Sequence, residues 1–271
     1  FPDLQWLKKQ AEDAFANGKG VGNINLHHKG WPNVILHVET AFAARHHIKG
    51  SFTIFTNISG HSYVTVNKRK VRVNADSFFI SNSGEYYSLD IEAAQKVETF
   101  NIHFGTDFFD ALFRDLVSST PHLLENPFLQ LTTSPAFFNK LFDKDEKVRM
   151  LIKNLKSANT ESDKMLEEIY LAELGRYFIF LNEDSKNVIS KLTPVKQATK
   201  LEVLKRLYVA KDYILSNLET DIKLEGVSQI ACLSRFHFLR LFESAFGITP
   251  HRFIIEKRLE NAEPLLKGGL T

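Results

Sequence analysis

The chain has 271 residues, 44% of them hydrophobic and 24% charged, with a net charge of +2. That length suits one large domain or two ordinary ones, and the composition excludes a disordered or collagen-like polymer. No apolar run reaches the roughly 18 residues of a membrane span, and with Cys232 as the one cysteine no internal disulfide can form, so a reducing cytoplasm is the expected setting. The first residue is Phe1 rather than Met and no signal-peptide pattern follows, so the sequence reads as a fragment. Lys196 to Thr271 carries twelve Lys/Arg against nine Asp/Glu, a mildly basic tail on an otherwise balanced chain.

Leu4, Leu7, Ala11, Ala14 and Phe15 make one helical stripe over Asp3 to Asn17, which Gly18 ends. Short β-branched and aromatic runs follow from Asn33 to Phe104. They are Val34 to Val38, Phe52 to Thr56, Tyr63 to Val66, Val71 to Val73, Phe78 to Ile80 and Val97 to Phe104. Turn formers separate them about every ten residues, which predicts an all-β sandwich or barrel, with a hairpin about Asn67-Lys68. From Asp107 the period becomes helical, over Asp107 to Val117, Glu146 to Leu155 and Met165 to Leu181, with Pro121, Pro127 and Pro135 marking an irregular stretch. Strands should dominate 33–104 and helices 107–266. The polar run Glu183 to Asn187 reads as the start of a linker, and Thr193-Pro194 as the edge of the next helix. A domain boundary is therefore expected near 183–195.

The last quarter is the most informative. Leu224 to Ala231 forms a short helix, Cys232-Leu233 a tight connection, and Ser234 an N-cap for a second helix over Arg235 to Ala245. Gly247 ends that helix, and Thr249-Pro250 opens another running to about Leu266. These are the parts of a helix-turn-helix. Ile230, Leu233, Phe238, Leu241 and Phe242 would bury the inner face. Arg235, Phe236, Leu239 and Arg240 then fall outward, a mixture suited to a major groove: arginine reads guanine edges and apolar groups meet thymine methyls. His237 could touch phosphate or pack on a neighbouring helix; His251 and Arg252, at a helix start, could do the same or simply lie on the surface.

The ordered series Ser234-Arg-Phe-His-Phe-Leu-Arg-Leu-Phe242, Phe246-Gly-Ile-Thr-Pro250, His251-Arg-Phe253, Arg258-Leu259, Ala262 and Leu265-Leu266 resembles the DNA-binding domain of AraC-type transcription factors. The resemblance covers about the last fifty residues; the strand-rich part resembles the family's cupin sensing barrel in outline. It implies an α+β protein with an effector-binding barrel over 1–105, a helical linker and dimerisation region over 106–185 and a helix-turn-helix domain over 186–271. The family carries two helix-turn-helix units, and only the first falls within this chain, so weak DNA binding is expected of it. Cys232 stands where the family favours glycine or asparagine, Ser228 where it favours alanine, and Pro264 interrupts the last helix.

By the same resemblance the protein is a cytoplasmic homodimeric regulator, not an enzyme. Operator DNA, RNA polymerase and a small-molecule effector, a sugar or another metabolite, would be its partners, and no membrane or cofactor is implied. The resemblance gives Ser234, Arg235, Phe236, His237, Leu239, Arg240, His251 and Arg252 as DNA-contacting. Effector binding would shift the population of arrangements in which two DNA-binding domains are presented. Alternation on strands puts Arg45 with His47, Phe52 with Ile54 and Tyr63 with Thr65 on shared faces. Arg45, His47, Phe52, Tyr63, Tyr86 and His103 are accordingly the expected effector pocket, though such rings equally suit a barrel core.

The reading from another class is a metal-dependent cupin enzyme with an added helical domain. Catalytic cupins use His-x-His, a carboxylate and a later histidine, so that ligands converge from one wall. No His-x-His occurs; His27-His28 and His46-His47 are adjacent and would face opposite ways, and Ser83 to Tyr87 holds no histidine. No metal site is expected. A pure dimerisation module, pairing helices between Glu146 and Leu181, is compatible with the first reading.

Overall fold

The computed structural model describes residues 33–105, 108, 111–113, 116, 136–192 and 197–268. Among them run strands β1 (Val34–Lys49), β2 (Phe52–Ser59), β3 (His61–Val66), β4 (Arg69–Asn74), β5 (Ser77–Ser81), β6 (Tyr86–Phe104) and β7 (Leu141–Asp143). All ladders are antiparallel, in the order β4-β3-β6-β2-β5-β7 with β1 also on β6, and the sheet curls into a nearly closed barrel. The β3–β4 hairpin turns at Asn67 and Lys68, whose φ values of 52° and 63° are the left-handed pair a two-residue type I′ turn requires.

β6 is the spine. Its first half pairs with β3 through Tyr63↔Asp90, its second half with β2 through Thr53↔His103. β1 follows both halves, but its register jumps from Thr40↔Val97 to Phe42↔Glu92, which leaves residues 93–96 outside that ladder. An irregularity of this kind bends a strand and lets it serve two walls of a barrel.

Two helices, α1 (Glu146–Glu161) and α2 (Lys164–Lys191), complete this region. Asp145 caps α1 by accepting a hydrogen bond from the Val148 amide at 2.9 Å. The core lies between sheet and helices: Phe52, Ile54, Phe78, Ile80, Phe100, Ile102 and Phe104 meet Leu151, Leu155, Leu171, Leu174 and Phe178. Each such side chain contributes about 1.5–3 kcal/mol on burial. The apolar face of β2, β5 and late β6 thus points out of the barrel. Alternation turns Thr53, Asn57, Ser81, Thr99, Asn101 and His103 inward, where they are equally buried. Val64, Val66, Val71 and Val73 bury the inner face of β3 and β4.

The buried polar wall is stitched together. Asn57 Nδ2 donates to the Val73 carbonyl at 2.7 Å and to Ser62 Oγ at 3.1 Å. Lys144 Nζ donates to the carbonyls of Asn57 and Ala75 at 2.6 and 2.8 Å, and burial lowers its pKa to about 8.

Several expectations need correction. A bulge between Arg45 and Ile48, with His47 at φ 54°, breaks the alternation that would place Arg45 and His47 on one face. Tyr63 faces outward on β3 while Ser62, Val64 and Val66 are buried. β7 is a strand inside the region read as helical. Glu183 to Asn187 continues α2 rather than starting a linker; Asn182 and Ser185 on the same turns are buried. Of the helix expected over Asp107 to Val117, residues 108, 111–113 and 116 are described and helical. The helix over Asp3 to Asn17, the three prolines from Pro121 to Pro135, Thr193-Pro194 and His27-His28 lie outside the described residues. The chain divides into two compact units, one through Leu181 and one from Asn182, and the division falls within α2.

Candidate functional site

The second unit holds α3 (Gln197–Ser216), α4 (Leu224–Ile230), α5 (Arg235–Phe246) and α6 (Pro250–Gly268). α4 ends in a Schellman turn: the Leu233 amide donates to the Ser228 carbonyl at 3.0 Å and the Cys232 amide to that of Gln229 at 2.9 Å. Such a turn needs one left-handed residue, and Cys232 supplies it at φ 51° without glycine's freedom. Ser234 then caps α5, its hydroxyl accepting from the His237 amide. Gly247, at φ 72°, ends α5, and the Thr249 hydroxyl accepts from the Arg252 amide at the start of α6. The helix continues through Pro264 to Gly268.

One face of α5 is fixed in an aromatic core. Phe238, Leu241, Phe242 and Ala245 are buried, and the Phe242 ring meets Phe238, Phe246 and Phe253 at centroid distances of 5.5, 4.6 and 5.7 Å. Ile230 and Leu233, expected inside, are half-buried. Arg206 donates to the Cys232 carbonyl at 3.4 Å, and Arg258 to the carbonyls of Leu218 and Thr220 at 2.9 and 2.6 Å. Arginines on the supporting helices thus hold the frame.

The other face of α5 is open. Ser234, Arg235, Phe236, His237 and Arg240 are exposed, Phe236 to 73%, and Leu239 is half-buried. Neither Arg235 nor Arg240 makes a side-chain hydrogen bond or ion pair among the described residues. Arg240 could have been held by Glu243 or Glu256, but Glu256 is engaged by Arg252 at 2.8 Å. His251 and Arg252 are exposed at the first turn of α6. Two unengaged guanidinium groups and an exposed ring on a rigid helix can present donors and apolar surface to base edges.

The six residues expected to form an effector pocket do not converge. His47 stacks on Tyr86 at 4.3 Å between centroids, and both are exposed, as is Arg45, which donates to the Ala44 carbonyl. Tyr63 carries the Lys70 ammonium over its outward-facing ring at 4.5 Å. Phe52 belongs to the helix-packed core, beside Phe104 and Phe137. His103 alone points into the barrel. There it stands 3.0 Å from the Thr53 hydroxyl, beside the paired rings of Phe55 and Tyr87, and burial lowers its pKa to about 4. Thr53, Phe55 and Tyr87 were missed, although the alternation of Thr99, Asn101 and His103 with Phe100, Ile102 and Phe104 is visible in the sequence. Among the described residues no group of three or more His, Cys, Asp or Glu could hold a metal ion.

No family model matches the chain. It is 27% identical over 140 residues to the probable transcriptional regulator LumQ of Photobacterium leiognathi, covering 52% of each protein. It is 38% identical over 63 residues to an HTH-type transcriptional regulator of Haemophilus influenzae, covering 23% of this chain and 21% of that one. The chain therefore spans about half or less of the curated relatives it matches. The chain is similar to curated transcriptional regulators. Among solved structures, ToxT of Vibrio cholerae bound to a methylnaphthalenyl butenoic acid superposes at a TM-score of 0.38 and 12% identity, over 84% of this chain and all of that one. The AraC-like activator CuxR does so at 0.37 and 16%, over 86% and 79%. Among the described residues no helix is long and apolar enough to cross a membrane.

Proposed function

We propose that this chain is a DNA-binding transcriptional regulator of AraC type, in which α5 enters the major groove and a small molecule held in the barrel governs its presentation. One observation carries the reading: Arg235 and Arg240 stand exposed and unengaged on a helix whose opposite face is locked by Phe238 and Phe242. A helix stabilised in this way keeps its outward side chains in register with base edges, whereas an exposed arginine on a mobile segment would not. His251 and Arg252, the latter paired with Glu256, add exposed donors at a helix start suited to phosphate. Exposed Met150, Met165, Leu166, Ile169 and Phe180 on α1 and α2 support pairing of two subunits.

The reading is of a binding protein, not of a metal-dependent enzyme, and places it in the cytoplasm with operator DNA as partner. Selection of bound sequences from a random duplex pool, followed by affinity measurement at fixed salt, tests it. A shared motif among the selected duplexes, with preference relaxed at one base pair by Arg240→Ala, is the expected result. Equal affinity for selected and scrambled duplexes would overturn it.

A further inference from the structure

The hydrogen bonds around His103 determine which of its nitrogens carries the proton. The Thr53 hydroxyl donates to the Ser51 carbonyl at 3.0 Å, and a hydroxyl has one proton to give. Its contact with His103 Nδ1, also 3.0 Å, must therefore be a donation from Nδ1–H. Burial keeps the ring neutral at physiological pH, so Nε2 is a bare acceptor. That atom is fully buried and has no partner, and so is the hydroxyl of Ser51, one residue ahead of β2. Buried polar atoms are paired in most proteins, and two unpaired ones on the residues that both bond the Thr53 hydroxyl call for a group that completes them.

The surroundings describe that group. The rings of Phe55 and Tyr87 meet the imidazole at centroid distances of 6.4 and 6.3 Å and each other at 4.9 Å. The Tyr87 hydroxyl has no hydrogen bond among the described residues, and burial raises its pKa to about 12, so it too stays neutral. Thr53, Ser81, Thr99 and Asn101 are uncharged. A carboxylate brought to this place would set its lone pairs against that of Nε2, and the described residues in contact with the imidazole, Thr53, Phe55 and Tyr87, offer it no cation.

We propose that the barrel seats its effector on β2 and β6, with His103 Nε2 accepting a hydrogen bond from a hydroxyl or N–H of an uncharged, compact molecule and with Phe55 and Tyr87 packing on its apolar face. The inference rests on the regulator reading for the word effector, but the seat stands on its own geometry. It disfavours anionic ligands, which would first have to draw a proton onto His103, and separates His103 from the other five residues first expected in the pocket.

The full chain, labelled with 15N in histidine, tests it by NMR and calorimetry. The expected spectrum shows His103 protonated on Nδ1 alone, and a protonated Nε2 would overturn the assignment. Pentoses, hexoses and linear polyols are titrated as uncharged probes, and straight-chain carboxylates as anionic ones. At least one uncharged probe should bind and shift the Nε2 resonance. His103→Phe should weaken that binding about tenfold or more, as loss of a buried hydrogen bond does. Should His103→Phe fail to fold, Ser51→Ala and Tyr87→Leu serve, each weakening the same probe severalfold. Binding of carboxylates alone, binding indifferent to these changes, or no binding by any uncharged probe overturns the proposal. DNA affinity measured on the same samples separates the failures: a barrel that binds its probe in a protein blind to DNA sequence refutes the regulator and keeps the seat.

Discussion

The two units leave polar groups unengaged in opposite directions. In the second unit the free groups, Arg235 and Arg240, face water, where solvation makes them inexpensive and a large partner can reach them. In the barrel they face inward, where His103 Nε2 and Ser51 Oγ are buried without a protein partner. An outward array suits a ligand with extended surface, such as a duplex groove, whereas an inward array suits a small molecule that can be enclosed. The contrast teaches that position relative to the core, more than residue type, distinguishes a reading face from a seat.

The sharpest way to break this comparison is to remove the support behind the reading face. Phe242→Ala deletes a ring that touches Phe238, Phe246 and Phe253, and should cost about 3–5 kcal/mol. Denaturant unfolding checks it, and DNA binding should vanish with the fold of the second unit. Acid probes the barrel. The folded pKa of His103, about 4, lies below its ordinary 6.5, so between these values the unfolded chain binds more protons. Stability should therefore fall as pH drops from about 6.5 to about 4, by about 3 kcal/mol from this group. Replacing His103 with glutamine should flatten that stretch of the pH–stability curve.

A smaller effect separates the two arginine classes. Arg240→Ala should cost about 1–3 kcal/mol of affinity for a selected duplex, relaxing preference at one base pair with the melting temperature unchanged. Arg252→Ala should weaken all duplexes alike and reduce the salt dependence, the mark of a phosphate contact. An Arg240→Ala protein that melts several degrees lower and loses affinity uniformly would show a structural arginine instead. Least of all, Cys232→Gly should stabilise the second unit by about 1 kcal/mol, since it relieves a left-handed φ of 51°. An unchanged denaturation midpoint would show that the turn holds the thiol without strain.

These units also differed in how far they could be read from sequence. Helix ends around α5 are set by local chemistry: Ser234 caps, Gly247 adopts the left-handed end, and Thr249-Pro250 starts the next helix. Such signals lie within a few residues of their effect, so the boundaries and the open face of α5 were legible. The hairpin at Asn67-Lys68 was legible for the same reason. The barrel interior was not, because alternation divides a strand into two faces without saying which one meets helices. Alternation puts Phe52 in the expected pocket, yet α1 and α2 cover that face from outside and leave Thr53 and His103 within. The bulge at His47 has no local signature, and it moves Arg45 and His47 off a common face. β7 is three residues long, too short for periodicity to register.

The Schellman turn has a practical consequence. Cys232 is the sole cysteine of the sequence, it is exposed, and the left-handed turn places it two residues before the N-cap of α5. A thiol-reactive fluorophore or spin label would therefore attach at one defined point beside the reading helix, in the unmutated protein. Emission from that point would report a duplex arriving, and its quenching or mobility would report whether a molecule entering the barrel is felt at α5. The residue that departs from the preferred glycine thus gives the protein a built-in optical handle on its own regulation.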